Sequence, residues 1–128
     1  MLTPIVQSLP VSPQSSHVSD LAIAAGGQTT LDSAQISAGK TAHLLKVRAS
    51  SSVPLKVELQ TVLNAVASST LDVWFPKPGD DSPQHWQRKQ HTVVYSATAG
   101  LDGFRLVVTN LDPAKSADVY GTVEWDEL

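Results

Sequence analysis

The stretch VPLKVELQ, residues 53–60, alternates strictly: Val53, Leu55, Val57 and Leu59 share one side, and Pro54, Lys56, Glu58 and Gln60 the other. Successive side chains of a strand point to opposite faces, so the spacing predicts a strand with one buried and one wet face. Pro54 fits the start of that strand or an edge, where a missing N–H is tolerated. The rhythm recurs. His43, Leu45, Val47 and Ala49 alternate with Lys46 and Arg48. Leu71, Val73 and Phe75 alternate with Asp72 and Trp74, and Val93, Tyr95 and Ala97 with Thr92, Val94 and Ser96. Phe104, Leu106 and Val108 alternate with Arg105, Val107 and Thr109. Val119, Val123 and Trp125, arranged around Gly121, alternate with Tyr120, Thr122 and Glu124. Residues 21–24 and 28–36 add one or two weaker strands, and 63–67 reads as a loop.

Turn signals separate these runs at Gly26-Gly27, 38–40, 50–52, 76–83, 100–103 and 110–113. Seven to eight short strands at such spacing predict an all-β fold, an antiparallel β-sandwich of immunoglobulin-like or jelly-roll-like type. The longest interruption, residues 76–90, holds Pro76, Pro78, Gly79, Pro83, Asp80-Asp81 and His85-Trp86. Long loops in compact domains are often functional, so this segment is the expected partner-facing loop.

The leader, MLTPIVQSLPVSPQSSHVSD, is too apolar for a solvated tail and too interrupted by proline for a helix. Ordering a residue costs about 1–2 kcal/mol, and prolines lower that cost by restricting the unfolded chain. A proline-punctuated apolar arm suits lying extended in a groove of its own domain or of a neighbouring subunit. The expected organisation is an extended arm, 1–19, followed by a β-sandwich domain, 20–128. Leu2, Ile5, Val6, Leu9 and Val11 are the expected subunit-interface residues of the arm.

Composition sharpens this picture. Of 128 residues, 41% are hydrophobic and only 16% are charged, with a formal net charge of −3. Disorder usually needs the opposite balance. Cations are scattered, whereas a nucleic-acid footprint needs a clustered basic face, so no nucleic-acid partner is expected. Cysteine is absent, which removes disulfides, thiolate nucleophiles and cysteine-based zinc sites. No run approaches the ~18 apolar residues of a membrane span. The leader has no Lys or Arg near Met1, and its prolines break any apolar signal region. Synthesis in the cytoplasm without a signal peptide is therefore expected. The final tetrapeptide, WDEL, reads as the end of a strand rather than as a retrieval address.

Candidate chemistry is sparse. His17, His43, His85 and His91 show no ligand spacing; His43 reads as a partly buried strand histidine. The carboxylates lack the alternation of a calcium loop. No G-x-S-x-G elbow and no phosphate-cradling glycine pattern exists. No enzyme activity, cofactor or metal is expected. Trp74, Trp86, Trp125, Tyr95 and Tyr120 offer a possible sugar-stacking platform. Trp74 stands opposite Leu71, Val73 and Phe75 and is the expected outward tryptophan. Trp74, Asp80, Asp81, His85 and Trp86 are the expected contacts for a partner or glycan.

A cysteine-free β-sandwich with a sticky extended arm, MLTPIVQSLP, and strands such as Phe104-Arg-Leu-Val-Val-Thr-Asn110 resembles the accessory β-sandwich proteins of bacteriophage virions, namely head decoration or cement proteins and small tail or baseplate proteins. The resemblance implies a non-enzymatic structural protein of the virion. Its arm would dock on neighbouring subunits, and its partners would be copies of itself, a trimer being favoured, and other virion structural proteins. The alternative is a carbohydrate-binding or adhesion module using exposed Trp and Tyr residues.

Overall fold

The computed structural model describes residues 12–78 and 101–128, and between them the backbone of 84–85 and 94–96. These residues form an all-β structure of two antiparallel sheets. Its strands are β1 (Ser12–Ile23), β2 (Gln28–Asp32), β3 (Thr41–Ser51), β4 (Leu55–Leu63), β5 (Val66–Trp74), β6 (Gln84–His85), β7 (Val94–Ser96), β8 (Gly103–Asn110) and β9 (Ala117–Glu127). One sheet has the order β1-β9-β3-β6, with β7 also pairing β3; the other has the order β2-β8-β4-β5.

The pairing is nested. β4 pairs β5, β3 pairs β6 and β7, β2 pairs β8, and β1 pairs β9. A long double-stranded ribbon with this nesting has been rolled until β9 meets β3 and β8 meets β4. That is the strand order of a jelly roll, the second of the two expected sandwich types.

The alternation read from the sequence supplies the core. Val53, Leu55, Val57 and Leu59 are buried, as are Phe104, Leu106 and Val108 from the same sheet. Val119, Val123 and Trp125 face them from the other. The rings of Phe104 and Trp125 meet across the core with centroids 5.7 Å apart at 57°, a tilted packing that aromatic quadrupoles favour. Gly121 leaves no room for a side chain: a Cβ there would lie 3.0 Å from both Leu106 Cδ1 of the facing sheet and Val18 Cγ2 of the neighbouring strand. The WDEL end lies on β9, with Trp125 and Glu127 turned inward.

Three sequence expectations need correction. On β3 the buried residues are Ala42, Leu44, Val47 and Ala49, while His43 and Leu45 are half-buried. The register against β9 shifts between Leu44 and Lys46, and a bulge at that point reverses the alternation upstream of it. On β5 the phase is also reversed. Trp74 is only 9% exposed, whereas Val73 is 39% and Phe75 62% exposed, because the pairing sets Trp74 opposite the inward Val57. The stretch 63–67 is a tight hairpin, with Asn64 and Ala65 at φ 52° and 65°. Both central residues left-handed is the geometry of a type I′ turn.

The stretch expected as the end of the arm is extended, and it belongs to a sheet. β1 pairs β9 from Ser12↔Glu127 to Asp20↔Val119, running across the boundary expected at residue 19. Residues 1–11 and the side chains of the 79–100 segment lie outside the described residues.

Candidate functional site

The expected site residues separate into two groups. Trp74 is in the core, so its expected outward role is corrected: it fills space between the sheets. Leu2, Ile5, Val6, Leu9, Val11, Asp80, Asp81 and Trp86 lie outside the described residues. Of His85 the backbone is described, in β6 opposite Lys46. Of the two tryptophans described, both are buried.

Three surfaces remain among the described residues. Two are apolar and lie at opposite ends of the β2-β8-β4-β5 sheet. At the end where β4 starts, Leu111 N–H donates to Pro54 O (3.0 Å) and Leu55 N–H donates to Pro76 O (3.2 Å). Leu111, 45% exposed, and Phe75, 62% exposed, thus face solvent on either side of the start of β4. At the end where β4 stops, Ala65 N–H donates to Leu101 O (3.0 Å) and Asn64 N–H to Asp102 Oδ1 (2.9 Å). The hairpin is thereby clasped to the 101–102 segment; Leu63 and Val66 are exposed cross-strand partners, and Leu101 is exposed on the clasped segment. The nine residues of β4 separate the two ends by about 30 Å. A small cavity of about 110 Å³ below the second end is bordered by Asp32 and Arg105. There Arg105 Nε donates to Asp32 Oδ1 at 2.6 Å and Nη2 to Oδ2 at 3.3 Å. This hydrogen bond raises the guanidinium above its ordinary value; burial opposes it, and the carboxylate charge adds to it.

The third surface is polar. On the outer side of the β1-β9-β3 layer, Ser15, Glu124 and Lys46 form one cross-strand row, and His17, Thr122 and Arg48 the next. They line a cleft of about 170 Å³. Lys46 Nζ lies 3.2 Å from Glu124 Oε2, and His17 Nδ1 is hydrogen-bonded to Thr122 Oγ1 at 3.2 Å. Arg48 Nε is buried without a hydrogen-bond partner. Tyr120, 56% exposed, extends the same side of β9.

The buried polar groups that tie loops to sheets were not singled out in the sequence. Asn110 is fully buried at the end of β8; its Nδ2 donates to the carbonyls of Ile23, Ala24 and Lys115 at 3.1, 3.2 and 2.8 Å. The Asn-Leu-Asp-Pro turn was the one signal of it. Asp112 accepts from the N–H groups of Ala114 and Lys115, which hold its carboxyl below the ordinary range. Among the described residues no group of three His, Cys, Asp or Glu is placed to hold a metal ion.

No protein-family model and no curated protein matches the chain. Among solved structures, the fold is similar to a chain of the cyanophage Pam1 capsid asymmetric unit, with 15% identity and a TM-score of 0.54, covering 98% of this chain and 92% of that one. A chain of the VLP of the extra small virus of the giant freshwater prawn Macrobrachium rosenbergii gives 16% identity and a TM-score of 0.41, covering 98% and 86%.

Proposed function

We propose that this chain is a non-enzymatic structural protein of a virus particle, a capsid decoration or cement subunit or a small tail or baseplate subunit, that associates with copies of itself and with other virion proteins. The observation that carries this reading is the length of the fold similarity: one jelly roll matches a chain of a phage capsid asymmetric unit over 98% of this chain and 92% of the other. A jelly roll also serves lectins and cupins. The interior here is filled by Trp125, Phe104, Leu44, Leu55, Leu59 and their neighbours, so the sandwich is a rigid body and its chemistry is on its outside.

The two apolar ends support self-association. Phe75 with Leu111 at one end and Leu63, Val66 and Leu101 at the other are different surfaces. Contact between unlike surfaces is heterologous, and a heterologous contact that closes makes a ring. This favours a cyclic oligomer, a trimer in the simplest case, over a two-fold dimer. The arm, through Leu2, Ile5, Val6, Leu9 and Val11, docks on a neighbouring subunit or another virion protein. The rival glycan reading has lost its leading residue, since Trp74 is inside.

Charge placed in one apolar end tests the reading. Val66→Asp and Leu101→Asp are expected to lower the solution mass of the full chain to that of a single subunit while leaving the β-sheet circular dichroism spectrum unchanged. An unchanged oligomer in both variants, or a wild-type chain already of single-subunit mass at high concentration, would contradict self-association through these ends.

A further inference from the structure

We infer that the cleft on the outer side of the β1-β9-β3 layer binds one carboxylated sugar unit, a uronic or sialic acid residue of an acidic glycan, with Arg48 as the carboxylate anchor. The first observation is Arg48 itself. Its Nε is buried without a hydrogen-bond partner, and Arg48 belongs to none of the ion pairs formed between described residues. A buried charged donor left unpaired is costly, and a planar guanidinium fork matches a carboxylate in two parallel hydrogen bonds.

The second observation is what surrounds it. The lining holds no aliphatic residue: Ser15 and Thr122 carry hydroxyls, Lys46 donates, Glu124 accepts and His17 is bonded to Thr122. A protein partner's interface core is depleted in charge and rich in apolar groups, which this cleft is not. A polyanion such as nucleic acid needs clustered cations, whereas here Glu124 already neutralises Lys46 at 3.2 Å and the whole chain carries a formal charge of −3. Sugar hydroxyls both donate and accept, so a mixed lining suits them, and one free guanidinium suits one carboxylate. The volume of about 170 Å³ exceeds the ~10–15 Å³ that holds one water and leaves room for a small polar ligand. Tyr120, two residues from Thr122 on the same side of β9, is exposed. The lining comes from three hydrogen-bonded strands, so the site is positioned before the ligand arrives. Glycan binding here is independent of the assembly role: a chain that stays a single subunit still carries the cleft.

Saturation-transfer NMR and calorimetry on the full chain test this with glucuronate, N-acetylneuraminate, glucose and acetate as probes. At least one acidic sugar is expected to bind at millimolar concentration, about 10-fold or more tighter than glucose and than acetate, and which of the two binds identifies the sugar class. Arg48→Gln is expected to weaken that binding about 10-fold or more, and Thr122→Val, which keeps the side-chain shape, by a smaller factor. Melting curves identify any variant that fails to fold. No binding of either acidic sugar overturns the inference. Binding of glucose as tight as that of the acids removes the carboxylate anchor, and acetate binding as tightly removes the sugar. Unchanged affinity in folded Arg48→Gln removes Arg48.

Discussion

The indole N–H of Trp125 donates to Glu127 Oε1 at 3.2 Å, two residues along the same inward side of β9. The same oxygen accepts from Ser37 N–H at 3.1 Å, which ties the loop between β2 and β3 to the last strand. The residue is buried, 5% exposed, and its Oε1 accepts both bonds. Burial alone pushes its pKa up; the Ser37 and Trp125 hydrogen bonds and the nearby Lys40 charge outweigh that and hold it below the ordinary value.

This makes the fold acid-sensitive in a stated direction. A folded-state value below the unfolded one, about 4.3 for Glu, contributes stability that is present above the unfolded value and lost as pH falls through the folded one. Urea midpoints of the wild type are expected to fall below about pH 4. Glu127→Gln is expected to cost about 1–3 kcal/mol at neutral pH, with the difference from wild type shrinking as the pH is lowered. A gap that stays constant down to pH 3 would contradict the assignment.

Asn110 is the second polar tie. One amide group serves the carbonyls of Ile23, Ala24 and Lys115, and its Oδ1 accepts from Asp112 N–H at 2.9 Å. Asn110→Ala leaves buried carbonyls without a donor and is expected to cost about 2–4 kcal/mol in chemical denaturation. A loss under ~0.5 kcal/mol, the range of an ordinary surface change, would show that the tie contributes nothing.

The type I′ hairpin carries Ala65 where φ is +65°, a conformation that glycine adopts at less cost. Asn-Gly is the favoured pair for this turn. Ala65→Gly is therefore expected to raise stability by about 0.5–1 kcal/mol, read as a higher melting temperature.

Gly121 works in the opposite sense. A Cβ there meets Leu106, Val18 and the Arg48 carbonyl at 3.0, 3.0 and 3.3 Å. Gly121→Ala is expected to cost about 1–3 kcal/mol, and Gly121→Val more. A neutral Gly121→Ala would mean that β9 can shift outward without loss.

Legibility in the sequence followed the regularity of the strands. β8 and β9 keep period two throughout and β4 keeps it as far as Thr61, and their inward residues were read correctly from Val53, Phe104 and Val119 onward. β3 and β5 were read one residue out of phase over part of their length because each pairs with a register shift. A bulge has no residue signature of its own, so Ala42, Leu44 and Trp74 were missed as core. The Asn64-Ala65 turn lacks the glycine that marks such hairpins. The polar ties fail for another reason: Asn110, Asp102 and Glu127 are buried through backbone partners 38 to 90 residues away or in separate loops, and sequence spacing carries no trace of that. Arg48 followed the same rule, since its cleft exists only where β1, β9 and β3 lie side by side.

The central claim is that this chain is an assembly subunit whose arm joins it to neighbours. Light scattering after size exclusion, on the full chain beside a chain lacking residues 1–11, tests it most directly. The cut leaves β1 whole, since its pairing with β9 begins at Ser12. The account predicts a full chain of trimer mass or larger and a shortened chain of lower mass with an unchanged circular dichroism spectrum. Two single-subunit species of identical behaviour, or a shortened chain that assembles as well as the full one, would contradict it.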